Sequence, residues 1–86
     1  MIYLVDKALA DIAFRTAADD KTAQVVLIQD GVYVTPGEDV PSIEAPIFAI
    51  ADDAAVRGIE PPSDVTLITH DDLVQLLNEH EIRSFV

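Results

Sequence analysis

The chain has no cysteine, only five basic residues (Lys7, Arg15, Lys21, Arg57 and Arg83) and no long apolar run. Each shortage excludes something. Without a thiol there can be no disulfide framework, thiolate metal site, iron–sulfur ligation or sulfur nucleophile, because each of these needs a cysteine sulfur. The longest apolar runs, such as Val25-Val26-Leu27-Ile28, fall far below the roughly 18 to 20 residues that span a bilayer. The opening Met1-Ile2-Tyr3-Leu4-Val5-Asp6 has neither a basic lead nor an extended apolar stretch, so no signal peptide is visible and a cytoplasmic location is expected. Five bases face 16 acids, for a net charge of -11. Such a surface repels phosphate backbones, whose binding depends on Lys and Arg, and direct nucleic-acid binding is not expected. Acids in this excess on an ordinary apolar core also match adaptation to high salt, where screening shortens self-repulsion to a few ångströms.

What is present fits one small domain covering residues 1–86, half of them hydrophobic. A chain this short buries only about 60% of its extended surface, so burial against a partner would add stability. Four apolar runs rich in β-branched residues, Ile2–Val5, Val25–Ile28, Ile47–Ile50 and Val65–Ile68, are apolar on both parities, as in strands covered on both faces. Between the first two, from Lys7 to about Asp20, Leu9, Ile12, Ala13, Thr16 and Ala17 recur at helical spacing and predict a crossover helix. A shorter helix is expected over Asp53–Arg57, with Asp52 as N-cap, Gly58 as stop and Pro61-Pro62 barring continuation. The last helix starts after Thr69, which can cap, with Asp72 placed to close a capping box and Leu73, Leu76 and Leu77 as its buried stripe. Val32–Glu44 reads as a loop with at most one helical turn, Pro36-Gly37 suiting a type II turn. Alternating strand and helix predicts an α/β fold: a three-layer parallel-sheet domain of about four strands with crossover helices.

Ligands of such sheets bind beyond the carboxyl ends of the strands, so chemistry belongs at Asp6-Lys7, Gln29-Asp30-Gly31, Ala51-Asp52-Asp53 and Thr69-His70-Asp71-Asp72. Phosphate binding is disfavoured, because the only glycine at a strand exit, Gly31, follows an aspartate. Asp30, Asp52, His70 and Asp71 could converge around a hard cation. The plainer account makes Asp52, Asp71 and Asp72 helix-start acids and Asp30 a turn residue. Thr69 adjoins His70, but consecutive residues of an extended strand point to opposite faces, which is poor geometry for a nucleophile and its base. Tyr33 and Val34 near a strand exit, and the tail Ile82-Arg83-Ser84-Phe85-Val86, suggest contact with another protein. The tail fits equally an edge strand folded back onto its own sheet.

Three segments resemble a known family. Val26-Leu27-Ile28-Gln29-Asp30-Gly31-Val32 is similar to the "LLLQDGV" strand and turn of the TusB/DsrH sulfur-relay proteins, within the DsrE/DsrF-like group. Ile47 to Ile59 resembles the next block, a strand followed by "D-L-x-A-R-G-L/I", and Val65 to Leu76 the block "I-x-L-I-D/T-Y-x-D/E-F-V-x-L". Order and spacing agree from Gln24 to about His80. The resemblance implies a small α/β fold and membership of a complex with TusC-like and TusD-like subunits. That complex passes persulfide sulfur from a cysteine of the TusD-like subunit toward 2-thiolation of a tRNA wobble uridine, or serves sulfur oxidation. TusB-like chains do not carry the transfer cysteine, and this chain has none.

The expectation is therefore a subunit that is not an enzyme and takes no cofactor or metal. Gln29, Asp30, Gly31, Val32, Tyr33 and Phe85 are its candidate partner contacts. The alternative is a stand-alone homo-oligomeric binding module or metal-dependent hydrolase built on Asp30, Asp52, His70 and Asp71.

Overall fold

Runs of Val and Ile favour extended backbone because a branched Cβ loses less freedom on a pleated surface than in a helix. In the computed structural model, which describes Met1–Val86, these runs form β1 (Ile2–Val5), β2 (Gln24–Leu27), β3 (Ile47–Ile50) and β4 (Val65–Ile68). A fifth strand, β5 (Ile82–Phe85), joins the four read from the apolar runs, the tail taking the edge-strand alternative. The tail folds back because the main chain of β1 still has groups to satisfy: the Ile2 N–H donates to the Glu81 carbonyl at 2.7 Å and the Asp6 N–H to the Phe85 carbonyl at 3.0 Å. The sheet runs β4-β3-β2-β1-β5 and every neighbouring pair is parallel.

After a 3-10 turn at Lys7–Leu9, helix α1 (Ala10–Ala18) buries Ala10, Ala13, Phe14 and Ala17. The buried face is thus rotated from the one expected, and Ile12 stays 56% exposed. Phe14 carries the largest apolar surface of the helix and takes the core position, while three alanines let α1 approach the sheet closely. Helix α2 (Ala51–Val56) begins as soon as β3 ends, with Ile50 at its N-cap; Asp52 and Asp53 lie in its first turn, so Asp52 is not the cap. Gly58, at φ +65°, ends it in a Schellman motif, the Ile59 N–H reaching the Ala54 carbonyl at 2.9 Å and the Gly58 N–H that of Ala55 at 3.2 Å. Helix α3 (His70–Glu79) has the expected capping box between Thr69 and Asp72.

Tyr3, Val5, Val25, Leu27, Ile47, Ala49 and Val65 point to one face of the sheet, where α1 and Ala54 of α2 cover them in the main core. On the other face Ile2, Val26, Ile50 and Ile68 meet Leu73, Leu76 and Leu77 of α3. The result is three layers of unequal depth, for no residue of α3 is fully buried. In β4, at one edge, Thr66 and Leu67 are exposed, unlike the doubly covered strands inside the sheet.

The segment after β2 opens with a 3-10 turn at Gln29–Tyr33, earlier than the single turn expected past Val32. Pro36-Gly37 then makes the expected reversal: Gly37 sits at φ +86° and the Glu38 N–H donates to the Thr35 carbonyl at 3.0 Å. Val34 and Val40 on either side are buried.

Candidate contact site at the carboxyl edge of the sheet

The chain leaves β2 into a turn fixed from three directions. Underneath, Gly31 lies so close to β1 that a Cβ there would overlap the Val5 carbonyl oxygen and come within 3.3 Å of the Asp6 Cα. At its start, Gln29 adopts φ +51°, which a non-glycine residue holds only when its surroundings compensate. The compensation comes from α2: the Asp53 carboxylate accepts the Gln29 N–H at 2.8 Å. Beside it, Arg57 donates through Nε to Asp30 at 2.8 Å and through a terminal nitrogen to the Asp53 carbonyl at 3.2 Å. The hydrogen bond to Asp30, reinforced by the charges of Asp30 and Asp53, holds the Arg57 pKa above its ordinary value. Asp53 and Arg57 are thus the residues that shape the turn, and reading the strand exits separately does not reveal them. The one signal in the sequence is their spacing of four, which puts both on a single face of α2.

The turn holds up Tyr33, 43% exposed. The Lys7 ammonium lies 5.8 Å from the centre of its ring, a cation–π contact joining the β1 exit to the β2 exit. Between them opens a shallow hollow of about 310 Å³, lined by Lys7, Ala10, Asp11, Tyr33, Val34 and Val40 among others.

Of the six candidate contact residues, Gln29, Asp30 and Tyr33 are exposed in the turn, while Gly31 and Val32 are buried beneath it. Phe85 lies on the other flank of β1, its ring stacked on Tyr3 with centroids 5.5 Å apart. The Tyr3 hydroxyl donates to Asp20 at 2.8 Å. Burial, and then that bond, raise the Tyr3 pKa. Bonds from Thr22 and Tyr3 lower that of Asp20.

The acids considered for a cation are not drawn together. Asp30 pairs with Arg57, and His70 Nδ1 pairs with Asp52 at 3.3 Å. No three histidine or carboxylate side chains stand close enough to share an ion. Thr69 is engaged in its cap, bonded to the Asp72 N–H at 3.1 Å. The edge as built presents a mixed polar and aromatic surface, with Gln29, Asp30 and Tyr33 exposed on a turn bonded to α2.

None of the curated proteins matches the chain significantly. The family model described as "DsrH like protein" matches residues 6–82, a span that takes in the clamped turn and all three helices. By that match the chain belongs to the DsrH-like family.

Proposed function

We propose that this chain is a non-catalytic subunit of a sulfur-relay complex, working beside TusC-like and TusD-like subunits in persulfide transfer toward 2-thiolation of the tRNA wobble uridine. The observation that carries the reading is the family match over residues 6–82 in a chain without cysteine. A sulfur-relay protein with no thiol cannot hold the migrating sulfur as a cysteine persulfide, so its contribution is contact with chains that can. Gln29, Asp30 and Tyr33 supply the exposed part of that contact, Gly31 and Val32 support it from below, and Phe85 adds to it beyond β1. A chain of net charge -11 leaves the tRNA to the other subunits.

The test is purification of the tagged chain from its native cells at native salt, followed by identification of what accompanies it and of thiolated tRNA in a deletion strain. A cysteine-bearing DsrE-like chain should co-purify in fixed ratio, and wobble 2-thiouridine should fall on deletion. If no such chain accompanies the protein, the subunit role is lost. If it does and 2-thiouridine is unchanged, the relay serves sulfur oxidation instead.

A further inference from the structure

A sheet edge presents unpaired N–H and C=O groups, and soluble proteins guard such edges with charge, proline or a bulge. The two edges here differ. β5 carries Arg83, whereas β4, Val65-Thr66-Leu67-Ile68, has no charge and no proline. Its two middle residues are exposed, Leu67 by 45%. Along a strand, successive residues aim their main-chain groups to opposite sides. The Val65 N–H bonds back to the Pro62 carbonyl at 3.0 Å and not to β3, so Val65, and with it Leu67 two residues on, directs these groups outward. The Val65 carbonyl and both main-chain groups of Leu67 can therefore extend the ladder. The edge stops there, because the Thr69 N–H is taken by the Asp72 carboxylate and the Thr69 carbonyl by the Leu73 N–H, each at 3.1 Å.

The two faces beside this edge offer different surroundings. On the α3 face Phe48, Ile68 and Leu76 floor a shallow hollow of about 240 Å³, with Asp72, Gln75 and Glu79 at its rim. Residues 72, 75, 76 and 79 follow the spacing that puts them on one stripe of the helix. Neither Asp72 nor Glu79 is paired with a base. On the opposite face the edge presents the exposed Leu67. The charge around both has one sign: between Arg57 and Arg83 the chain carries Glu60, Asp64, Asp71, Asp72, Glu79 and Glu81, all exposed, and no lysine or arginine. An uncharged edge in an acidic surround repels a second copy of this chain, whose net charge is -11, and attracts a basic segment. A strand added to β4 would place alternate side chains on the two faces. On the α3 face an apolar floor with carboxylates at its rim suits the long stem and charged head of Lys or Arg. Beside Leu67 an apolar side chain fits.

We propose that β4 takes up an extended basic segment of a different protein chain, one that alternates Lys or Arg with apolar residues, its basic heads held by Asp72 and Glu79. This contact is independent of the sulfur-relay reading, and its test uses the purified full chain with synthetic peptides. The probe is a peptide of about eight residues, a usual strand length, alternating Lys and Val. In NMR titrations of the isotope-labelled chain, shifts should saturate at Phe48, Leu67 and Leu76, and the Leu67 N–H should gain protection from exchange. Binding should be tighter at about 0.1 M than at about 1 M KCl, since the screening length falls from about 10 Å to about 3 Å. Leu67→Pro removes an outward N–H without altering charge, at a place where an edge strand tolerates proline. It should stay folded by circular dichroism and bind about ten-fold more weakly. Leu67→Lys, which installs an edge guard, should do the same and serves should the proline variant not fold. Glu79→Gln should weaken binding about two- to five-fold, as for one exposed ion pair, and Glu38→Gln, in the loop after β2, should leave it unchanged. The proposal is overturned if no shift saturates, or if a peptide of the same composition with its lysines in one block, or one alternating Glu and Val, binds equally well. Indifference to both Leu67 variants, or equal weakening by Glu38→Gln, overturns it too. A free chain of twice the 9.3 kDa mass with the Leu67 N–H already protected would overturn it in favour of a second copy.

Discussion

Replacing Gly31 by alanine should be the most damaging small change in the protein, for a steric and not a conformational reason. Positive φ occurs at Gln29, Gly37 and Gly58 and not at Gly31, so alanine could adopt its backbone angles. Its Cβ, however, would overlap the Val5 carbonyl oxygen and sit 3.2 Å from the Val5 carbonyl carbon. Neither side can withdraw easily. The Val5 carbonyl accepts the Ile28 N–H at 3.0 Å, and β1 is held between β2 and β5. The turn is tied to α2 through Gln29 and Asp30, and the Gly31 N–H donates to the Ile28 carbonyl at 2.8 Å. Overpacking of this kind costs about 1–3 kcal/mol, and loss of the Ile28 bond to Val5 adds about 1 kcal/mol. A chain of this size has only about 4–13 kcal/mol of stability in all. At about 4–8 °C per kcal/mol, the midpoint should fall by roughly 10–30 °C. Gly58→Ala is the comparison: Gly58 has φ +65° and nothing lies within 4 Å of the place its new methyl group would take, so only the left-handed backbone cost of about 1–2 kcal/mol applies. Thermal and urea melts of both variants decide the matter. If Gly31→Ala costs no more than Gly58→Ala, the close approach to β1 is not what demands glycine here.

Four further changes probe the same structure. Thr69→Ala removes the cap of α3 and should cost about 1 kcal/mol in urea melts, with faster amide exchange at the start of that helix. Asp53→Ala takes the acceptor from the Gln29 N–H and should cost about 1 kcal/mol, with exchange rising across residues 29–33. Arg57→Lys keeps the charge but loses the fork that reaches both Asp30 and the Asp53 carbonyl, so exchange in the turn should rise while α2 stays helical. Because the Asp20 pKa is lowered in the fold, its contribution is full above the ordinary carboxylate pKa and is lost as pH falls through the folded value; the raised Tyr3 pKa acts oppositely, full below pH 10 and lost as pH rises through its folded value. Tyr3→Phe should therefore abolish the Tyr3 contribution to the alkaline limb of a plot of melting temperature against pH and reduce the acid limb only in part, because the two bonds from Thr22 to Asp20 remain.

The parallel α/β layout was legible because it rests on period and order: four β-branched runs, helical spacing between them, a capping box at Thr69 and a stop at Gly58. Where local reading went astray, the deciding contacts are distant in sequence. The buried face of α1 could not be settled from Leu9, Ile12 and Thr16, since the preceding 3-10 turn sets its rotation and Phe14 competes for the core. The fate of the tail depended on β1, some 80 residues earlier, having unpaired main-chain groups on that side. In the turn after β2 the residue types pointed to Gly31 and Asp30, but their reasons lay elsewhere, in the Val5 carbonyl for one and in Arg57 for the other. All four strand exits prove to be coupled, Asp6-Lys7 through Tyr33, Ala51-Asp52-Asp53 through Gln29 and Thr69-His70-Asp71-Asp72 through Asp52, which no single segment announces.

The scarcity of positive charge gives this coupling its significance. Arg57 is committed to Asp30 and Asp53, Arg15 pairs with Asp11 at 3.0 Å, Lys7 lies over Tyr33 and Arg83 over Tyr3. Arg57, Lys7 and Arg83 are thus placed against the turn and the sheet, Arg15 sits in an exposed pair on α1, and only Lys21 stands outside such contacts. A partner that meets this surface encounters a field of one sign, which favours cationic faces and slows acidic ones before any contact forms. Under the contact role proposed above, specificity then rests on the turn clamped to α2. A loose Gln29–Tyr33 segment would have to be ordered at each encounter, at a cost in affinity, whereas one already held by Gly31, Asp53 and Arg57 meets its partner with that ordering complete. Under the relay role proposed above, a chain without a thiol would influence transfer between other subunits through preorganised contact of this kind.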